Sequence, residues 1–109
     1  MDEQEIKEGI LYLLEGSSPT GDGSGYTLLE IRDFLKLNNV EGFFEEGKEN
    51  WKRLKNLLDE MEEGGLIEER HFGEVLGGRV DFSIENPGND LIEGKRKSLK
   101  EKWKLPDSE

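Results

Sequence analysis

The residues best suited to chemistry lie together in the middle of the chain, where basic and amide side chains are concentrated. Between residues 48 and 56, four basic side chains stand against one acidic side chain. Lysine ammonium groups suit phosphate oxygens, whereas arginine and asparagine can form paired hydrogen bonds with the edges of guanine and adenine. The segment therefore predicts nucleic-acid contact through six side chains, namely Lys48, Asn50, Lys52, Arg53, Lys55 and Asn56.

Side chains suited to catalysis or metal binding are sparse. The chain has no Cys, and its single histidine, His71, lies in a predicted strand, where a histidine is usually a packing or surface residue. Glutamates occur in adjacent pairs such as Glu62-Glu63, and neighbours in sequence point in different directions rather than at one reacting centre. A metal site would need oxygen ligands alone, and no calcium-loop spacing is found. We therefore expect no enzymatic activity, no cofactor and no metal.

The composition predicts one compact, acidic domain. Among 109 residues, 26 acidic side chains outnumber 15 basic ones, which gives a net charge of −11. This charge argues against general nucleic-acid binding, because phosphate contacts need Lys and Arg. A second basic segment spans residues 95–104, whereas residues 57–69 hold six acidic side chains and no basic one. No apolar run reaches the roughly 20 residues of a membrane span, and the acidic start is unlike a signal peptide, so we expect a cytoplasmic protein.

Three helices are predicted in the first half of the chain. Apolar residues at helical spacing place the first helix over residues 3–14, with Asp2 as its N-cap. The second begins after Thr27, which forms a capping box with Glu30. The third covers about residues 50–63. Its apolar face consists of Trp51, Leu54, Leu57, Leu58 and Met61.

Two strands and a final helix are predicted to follow. Residues 66–72 form the first strand, and residues 79–84 form the second, in which apolar and polar side chains alternate. The glycine pair at 77–78 suits the turn between them. The last helix begins with Asn86 as its cap and Pro87 in its first turn.

The order of helix, helix, helix, hairpin and helix resembles the winged-helix domain, a helix-turn-helix followed by a two-stranded wing. Residues 51–70 (WKRLKNLLDEMEEGGLIEER) look like its recognition helix passing into the first wing strand. Residues 79–88 (RVDFSIENPG) look like the second wing strand and the turn into a C-terminal helix. Residues 10–14 and 25–31, together with the lysine-rich final helix, are most similar to the PadR-like and MarR-like transcriptional regulators.

The resemblance implies a fold and a division of the chain. The fold is α+β and mainly α, with a three-helix core, a two-stranded β wing and a C-terminal helix. Residues 1–85 form the winged-helix domain, and residues 86–109 form a C-terminal helix and tail that packs on the domain or dimerises. The turn between the second and third helices is longer than the three or four residues usual in a helix-turn-helix.

Two functions fit these observations. The resemblance implies a small regulator of transcription, whose third helix enters the major groove of double-stranded DNA while the wing touches phosphate or the minor groove. Arg70 and Arg79, which flank the wing, then join the six side chains of the central segment. The alternative is an acidic winged-helix module that binds a basic protein partner and not DNA.

The final helix leaves two arrangements open. Its basic surface could pack on the first helix of its own chain, whose outer face is acidic. It could instead join a second chain in a homodimer through Ile92, Leu99 and Trp103, which would place two recognition helices about 34–36 Å apart. Charge suits both arrangements. An exposed Trp103 favours the homodimer, because so large an apolar side chain is seldom left in water without a partner.

Overall fold

Helices make up most of the chain that the structure describes. The computed structural model describes residues 2–15, 26–43, 47–71 and 80–105. Within these ranges it contains five α-helices, a short 3-10 turn at Glu93–Lys95 and three strands. The helices are α1 (Glu3–Glu15), α2 (Leu28–Leu37), α3 (Lys48–Glu63), α4 (Asn86–Ile92) and α5 (Arg96–Lys102), and the strands are β1 (Tyr26–Thr27), β2 (Ile67–His71) and β3 (Val80–Ile84). The fold is therefore α+β and mainly helical, as the sequence predicts.

The helix α1 forms where the periodicity places it. The carboxylate of Asp2 accepts a hydrogen bond from the backbone N–H of Glu5 at 2.8 Å, which satisfies a donor that the helix itself leaves unpaired. Acidic residues in the first turn also interact favourably with the helix dipole. The apolar side chains whose spacing predicts this helix are buried in the core, and so is Leu11. The helix ends at Glu15, one residue later than predicted.

The capping box of α2 is present. The N–H of Glu30 donates to the Thr27 hydroxyl at 3.2 Å, and the N–H of Thr27 donates to the Glu30 carboxylate at 2.8 Å. These two bonds fix the start of the helix at Leu28. The helix buries Ile31, Phe34 and Leu35 against the core.

A three-stranded antiparallel sheet replaces the two-stranded hairpin expected from the sequence. Its order is β1-β3-β2, so β3 lies in the centre. Tyr26 pairs with Phe82 at one edge, and Ile67 pairs with Ile84 at the other. The sequence does not predict β1, because two residues are too few to show alternation. The predicted glycine turn at 77–78 lies outside the described residues.

The helix α3 begins at Lys48, two residues before its predicted start, and ends at Glu63. Leu54, Leu57, Leu58 and Met61 are buried, which confirms the predicted orientation of this helix. Trp51, by contrast, is only partly buried. Ten residues, 38–47, separate α2 from α3. The connection is therefore longer than a helix-turn-helix turn, as the sequence indicated.

The C-terminal segment is two short helices rather than one. α4 ends at Ile92, and the 3-10 turn leads into α5. Glu85 occupies the N-cap position predicted for Asn86, and Asn86 is the first helical residue. Gly94 lies in the turn. Glycine has a low helix propensity, so an interruption of the helix at this position costs little free energy. The break lets Ile92 and Leu99 both face the core, in which both are buried.

Trp103 is buried, which makes the expectation of an exposed indole wrong. Its exposed fraction is 3%. The indole ring stacks on Phe34 of α2 with ring centroids 5.3 Å apart. On its other side it packs against α1 at Gly9, where any Cβ atom would overlap the indole. Trp103 thus joins the C-terminal segment to α1 and α2 of the same chain.

Three ion pairs run along the same contact between α5, the preceding turn and α1. Lys95 pairs with Glu8 at 2.7 Å, Arg96 with Glu15 at 2.8 Å, and Lys102 with Glu5 at 2.6 Å. Burial acts to raise the pKa of Glu8, but hydrogen bonds from Lys95 and Gln4 outweigh it, so the pKa is lowered. The Glu8 pair therefore stabilises the fold above the ordinary glutamate pKa, and its contribution is lost as pH falls through the lowered value.

The contacts of the C-terminal segment with α1 and α2 bear on the predicted homodimer. Ile92, Leu99 and Trp103 are each less than 5% exposed within one chain, so they are already covered without a partner. A homodimer through the C-terminal segment stays a prediction. It would have to use the exposed face of α5 instead of these three side chains.

We expect Gly9→Ala to destabilise the protein by about 1–3 kcal/mol, as overpacked core substitutions do. The new methyl group would overlap Cε2 and Cζ2 of Trp103, so the indole has to move away from Phe34. Urea unfolding followed by circular dichroism measures the change in the free energy of unfolding. Gly94→Ala is the matched control, because a Cβ there meets no atom within 4 Å. Equal midpoints for Gly9→Ala and the unaltered chain would contradict the packing of Trp103.

Candidate nucleic-acid interface

The first half of α3 presents a polar face that is mainly basic. Lys48, Lys52, Arg53 and Asn56 are exposed on it together with the acidic Glu49, whereas Leu54 and Leu58 on the opposite face are buried. This division follows from the helical repeat, since residues three and four apart share one side of a helix. Four of the eight predicted contact residues are therefore displayed together, and we call these four the α3 strip.

Lys55 belongs to the packing of α3 on the sheet rather than to the α3 strip. Its ammonium group donates a hydrogen bond to Glu69 of β2 at 2.7 Å and lies 3.3 Å from Asp59. It also lies 5.7 Å from the centroid of the Phe82 ring. The hydrogen bond to Glu69 raises the pKa of Lys55 above its ordinary value. Two carboxylates therefore already balance this charge.

Arg53 is exposed but held in one place by its own chain. Its guanidinium lies 4.5 Å from the centroid of the Phe43 ring. It also occupies the space beside Gly42 that a Cβ atom would fill. Gly42 has a φ of 90°, a conformation that side chains rarely adopt, so the backbone favours glycine here. Phe43 itself is buried in the core.

The remaining predicted residues are less exposed or lie elsewhere. Asn50, on the first turn of α3, and Arg70, on β2, are both partly buried, and each interacts with other groups of the chain. In the sheet register, Arg70 pairs with Asp81. Arg79 lies outside the described residues, as does the tip of the predicted wing.

Sequence reasoning missed Arg32, a basic side chain from α2 that reaches α3. Its guanidinium lies 5.0 Å from the ring of Trp51, on the first turn of α3. Nη2 lies 3.7 Å from Asp33, and Nε is buried without a hydrogen-bond partner among the described residues. No local pattern could have revealed this contact, because the two residues belong to different helices. Arg32 adds positive charge next to the α3 strip.

The second half of α3 is acidic and partly engaged with neighbouring elements. Glu60 pairs with Lys7 of α1 at 3.3 Å, and Glu62 accepts a hydrogen bond from the backbone of Glu69 at 3.1 Å. Glu63 is exposed. At the other end the N-cap is Gly47, which provides no side-chain cap. The helix therefore has a mainly basic N-terminal half and an acidic C-terminal half.

Other kinds of site find no support in the ranges that the structure describes. No group of three or more His, Cys, Asp or Glu side chains is arranged there to hold a metal ion. None of the described helices is both long and apolar enough to cross a membrane.

Comparison of the chain with protein-family models, with curated proteins and with solved structures finds no match. The α3 strip must therefore be interpreted from its own side chains and their surroundings. Three of its properties matter here, namely its exposure, its charge and the contact of Arg53 with Phe43.

A double-mutant cycle tests the contact between Arg53 and Phe43. We expect Arg53→Met and Phe43→Leu to be coupled by about 0.5–1 kcal/mol in urea unfolding, as for an exposed cation–π pair. Lys52→Met with Phe43→Leu is the control cycle, and its two changes should add within about 0.3 kcal/mol. Equal coupling in the two cycles would show that Arg53 is not held by the ring.

Proposed function

We propose that the protein is a winged-helix regulator of transcription that binds duplex DNA through the α3 strip. The observation that carries this proposal is the grouping of Lys48, Lys52, Arg53 and Asn56 on one exposed face of an otherwise acidic chain. Lysine ammonium groups suit phosphates, whereas arginine and asparagine can read base edges. In helix-turn-helix proteins these contacts come from the N-terminal part of the recognition helix, where the α3 strip lies.

The arrangement of the elements supports the proposed winged-helix type. Three helices precede the antiparallel pair of β2 and β3, which is the order that the resemblance implies. The connection of residues 38–47 is long, but it is anchored by the buried side chains of Val40 and Phe43. It can therefore hold α3 in a fixed direction although it is not a tight turn.

Charge limits the proposed contact to the first two turns of α3. Beyond Asn56, carboxylates would repel the DNA backbone. Lys55 is already paired with Glu69 and Asp59, so it is not counted among the proposed contacts. A small basic area within an acidic chain keeps non-specific binding weak and leaves discrimination to base contacts.

The second candidate function is binding of a basic protein partner. Two apolar side chains of α2, Leu29 and Leu37, are 51% and 44% exposed, and exposed carboxylates occupy the end of α3. Apolar side chains rimmed by charge are typical of protein interfaces. This function needs none of the side chains of the α3 strip, so mutation of the strip separates the two candidates.

We expect replacement of Lys52 and Arg53 together by Glu to abolish binding to random-sequence duplex DNA. The change reverses two charges in the α3 strip, and fluorescence anisotropy of labelled DNA measures the loss. The matched control replaces Lys97 and Lys100 of α5 by Glu, which changes the net charge by the same amount. Replacing Lys48 and Lys52 by Glu gives a second test that keeps the contact of Arg53 with Phe43. Unchanged affinity in both α3 variants, each with its helical spectrum intact, would refute the proposed DNA binding.

We also expect Lys52→Gln to weaken DNA binding about equally for all sequences, because a phosphate contact positions the protein without specifying a base. The slope of log affinity against log salt concentration should fall by about 0.9, the value for one lost phosphate contact. Lys97→Gln provides the baseline for loss of one positive charge elsewhere. Equal salt slopes for the Lys52→Gln and Lys97→Gln variants would show that Lys52 makes no phosphate contact.

A further inference from the structure

A cavity of about 250 Å³ opens beside the C-terminal segment, away from the residues of the α3 strip. Its walls come from α1, from the end of α5 and from the three residues that follow it. The lining residues are Tyr12, Lys100, Trp103, Lys104 and Leu105. The aromatic rings and the leucine make the walls mainly apolar, and the two lysines supply positive charge.

The two lysines differ from three other basic residues of their segment, which are paired within the chain. Lys95, Arg96 and Lys102 each pair with a glutamate of α1. Lys100 and Lys104 are exposed, and neither forms an ion pair with any residue in the described ranges. Two lysines that pair with no carboxylate of the described residues therefore line a mainly apolar cavity in a chain of net charge −11.

The walls of the cavity are held in place by specific contacts. Asn38, at the end of α2, donates a side-chain hydrogen bond to the carbonyl of Lys104 at 3.0 Å and accepts one from its N–H at 2.8 Å. Trp103 is fixed by its stacking on Phe34. Its Nε1 is buried without a hydrogen-bond partner in the part of the chain that is described. A site ordered in advance loses less conformational entropy when a ligand binds.

We propose that this cavity binds a small amphipathic carboxylate. The apolar part of the ligand lies against Tyr12, Trp103 and Leu105, and its carboxylate lies near the ammonium groups of Lys100 and Lys104. The volume of the cavity is below the range of roughly 300–1,000 Å³ typical of pockets for drug-sized ligands. At the packing density of protein interiors, we expect a ligand of about ten non-hydrogen atoms. A medium-chain monocarboxylate such as octanoate has this size, charge and apolar surface. The inference does not depend on the proposed DNA binding.

Titration of the ¹⁵N-labelled protein with octanoate, followed by nuclear magnetic resonance, tests the proposal. The chain has two tryptophans, so its two indole N–H signals can be assigned with the Trp51→Phe variant. We expect the Trp103 signal to shift saturably and the Trp51 signal to stay in place. Octan-1-ol, which has the same chain without the charge, should bind several-fold more weakly.

Variants of the lysines separate charge recognition from apolar binding alone. Lys100→Gln and Lys104→Gln should each raise the Kd for octanoate by up to about fivefold, the effect of one exposed ion pair. Lys100→Arg should keep most of the affinity. Lys97→Gln removes an exposed charge of α5 that does not line the cavity, and it should leave the Kd unchanged. Absence of a saturable Trp103 shift, equal affinity for octanol, or an equal effect of Lys97→Gln would overturn the proposal.

Discussion

Trp103 joins the C-terminal segment to the first two helices by packing against Gly9 of α1 and Phe34 of α2. A tryptophan side chain buries roughly 150–250 Å² of surface, so burial of the indole outweighs the exposed ion pairs beside it. The contact needs glycine at position 9, because a side chain there would occupy the place of the ring. Once the indole is in place, the ammonium and guanidinium groups of α5 and its preceding turn lie opposite the carboxylates of α1.

The two basic segments of this acidic chain therefore serve different purposes. Half of the basic side chains in the C-terminal one are used within the molecule, since Lys95, Arg96 and Lys102 are paired with α1. In the central one Lys55 forms an internal pair, and the α3 strip stays exposed. A net charge of −11 is compatible with local anion binding, because salt screens exposed charges beyond about 8 Å at physiological ionic strength. The distribution of charge is thus more informative about function than its sum.

Structural features that depend on residues close in sequence could be predicted. Features that depend on contacts between residues far apart in sequence could not. The capping box of Thr27, the buried face of α3 and the exposure of Lys52 all follow from spacing within one helix. The strand β1 is too short to show a pattern, and the burial of Trp103 needs residues from α1 and α2. In the candidate site, likewise, the pairing of Lys55 depends on Glu69 and the position of Arg53 depends on Phe43.

Arg53 and Lys55 show how two nearby basic side chains acquire different capacities for binding. The Lys55 ammonium directs its hydrogen bonds at carboxylates, so an incoming anion would have to displace them. Arg53 interacts with Phe43 through its guanidinium, whose donors point outward in the plane of the group. Stacking on a ring uses the face of that plane and leaves its edge for hydrogen bonds. The contact with Phe43 can therefore reduce the mobility of Arg53 before a ligand arrives without consuming its donors.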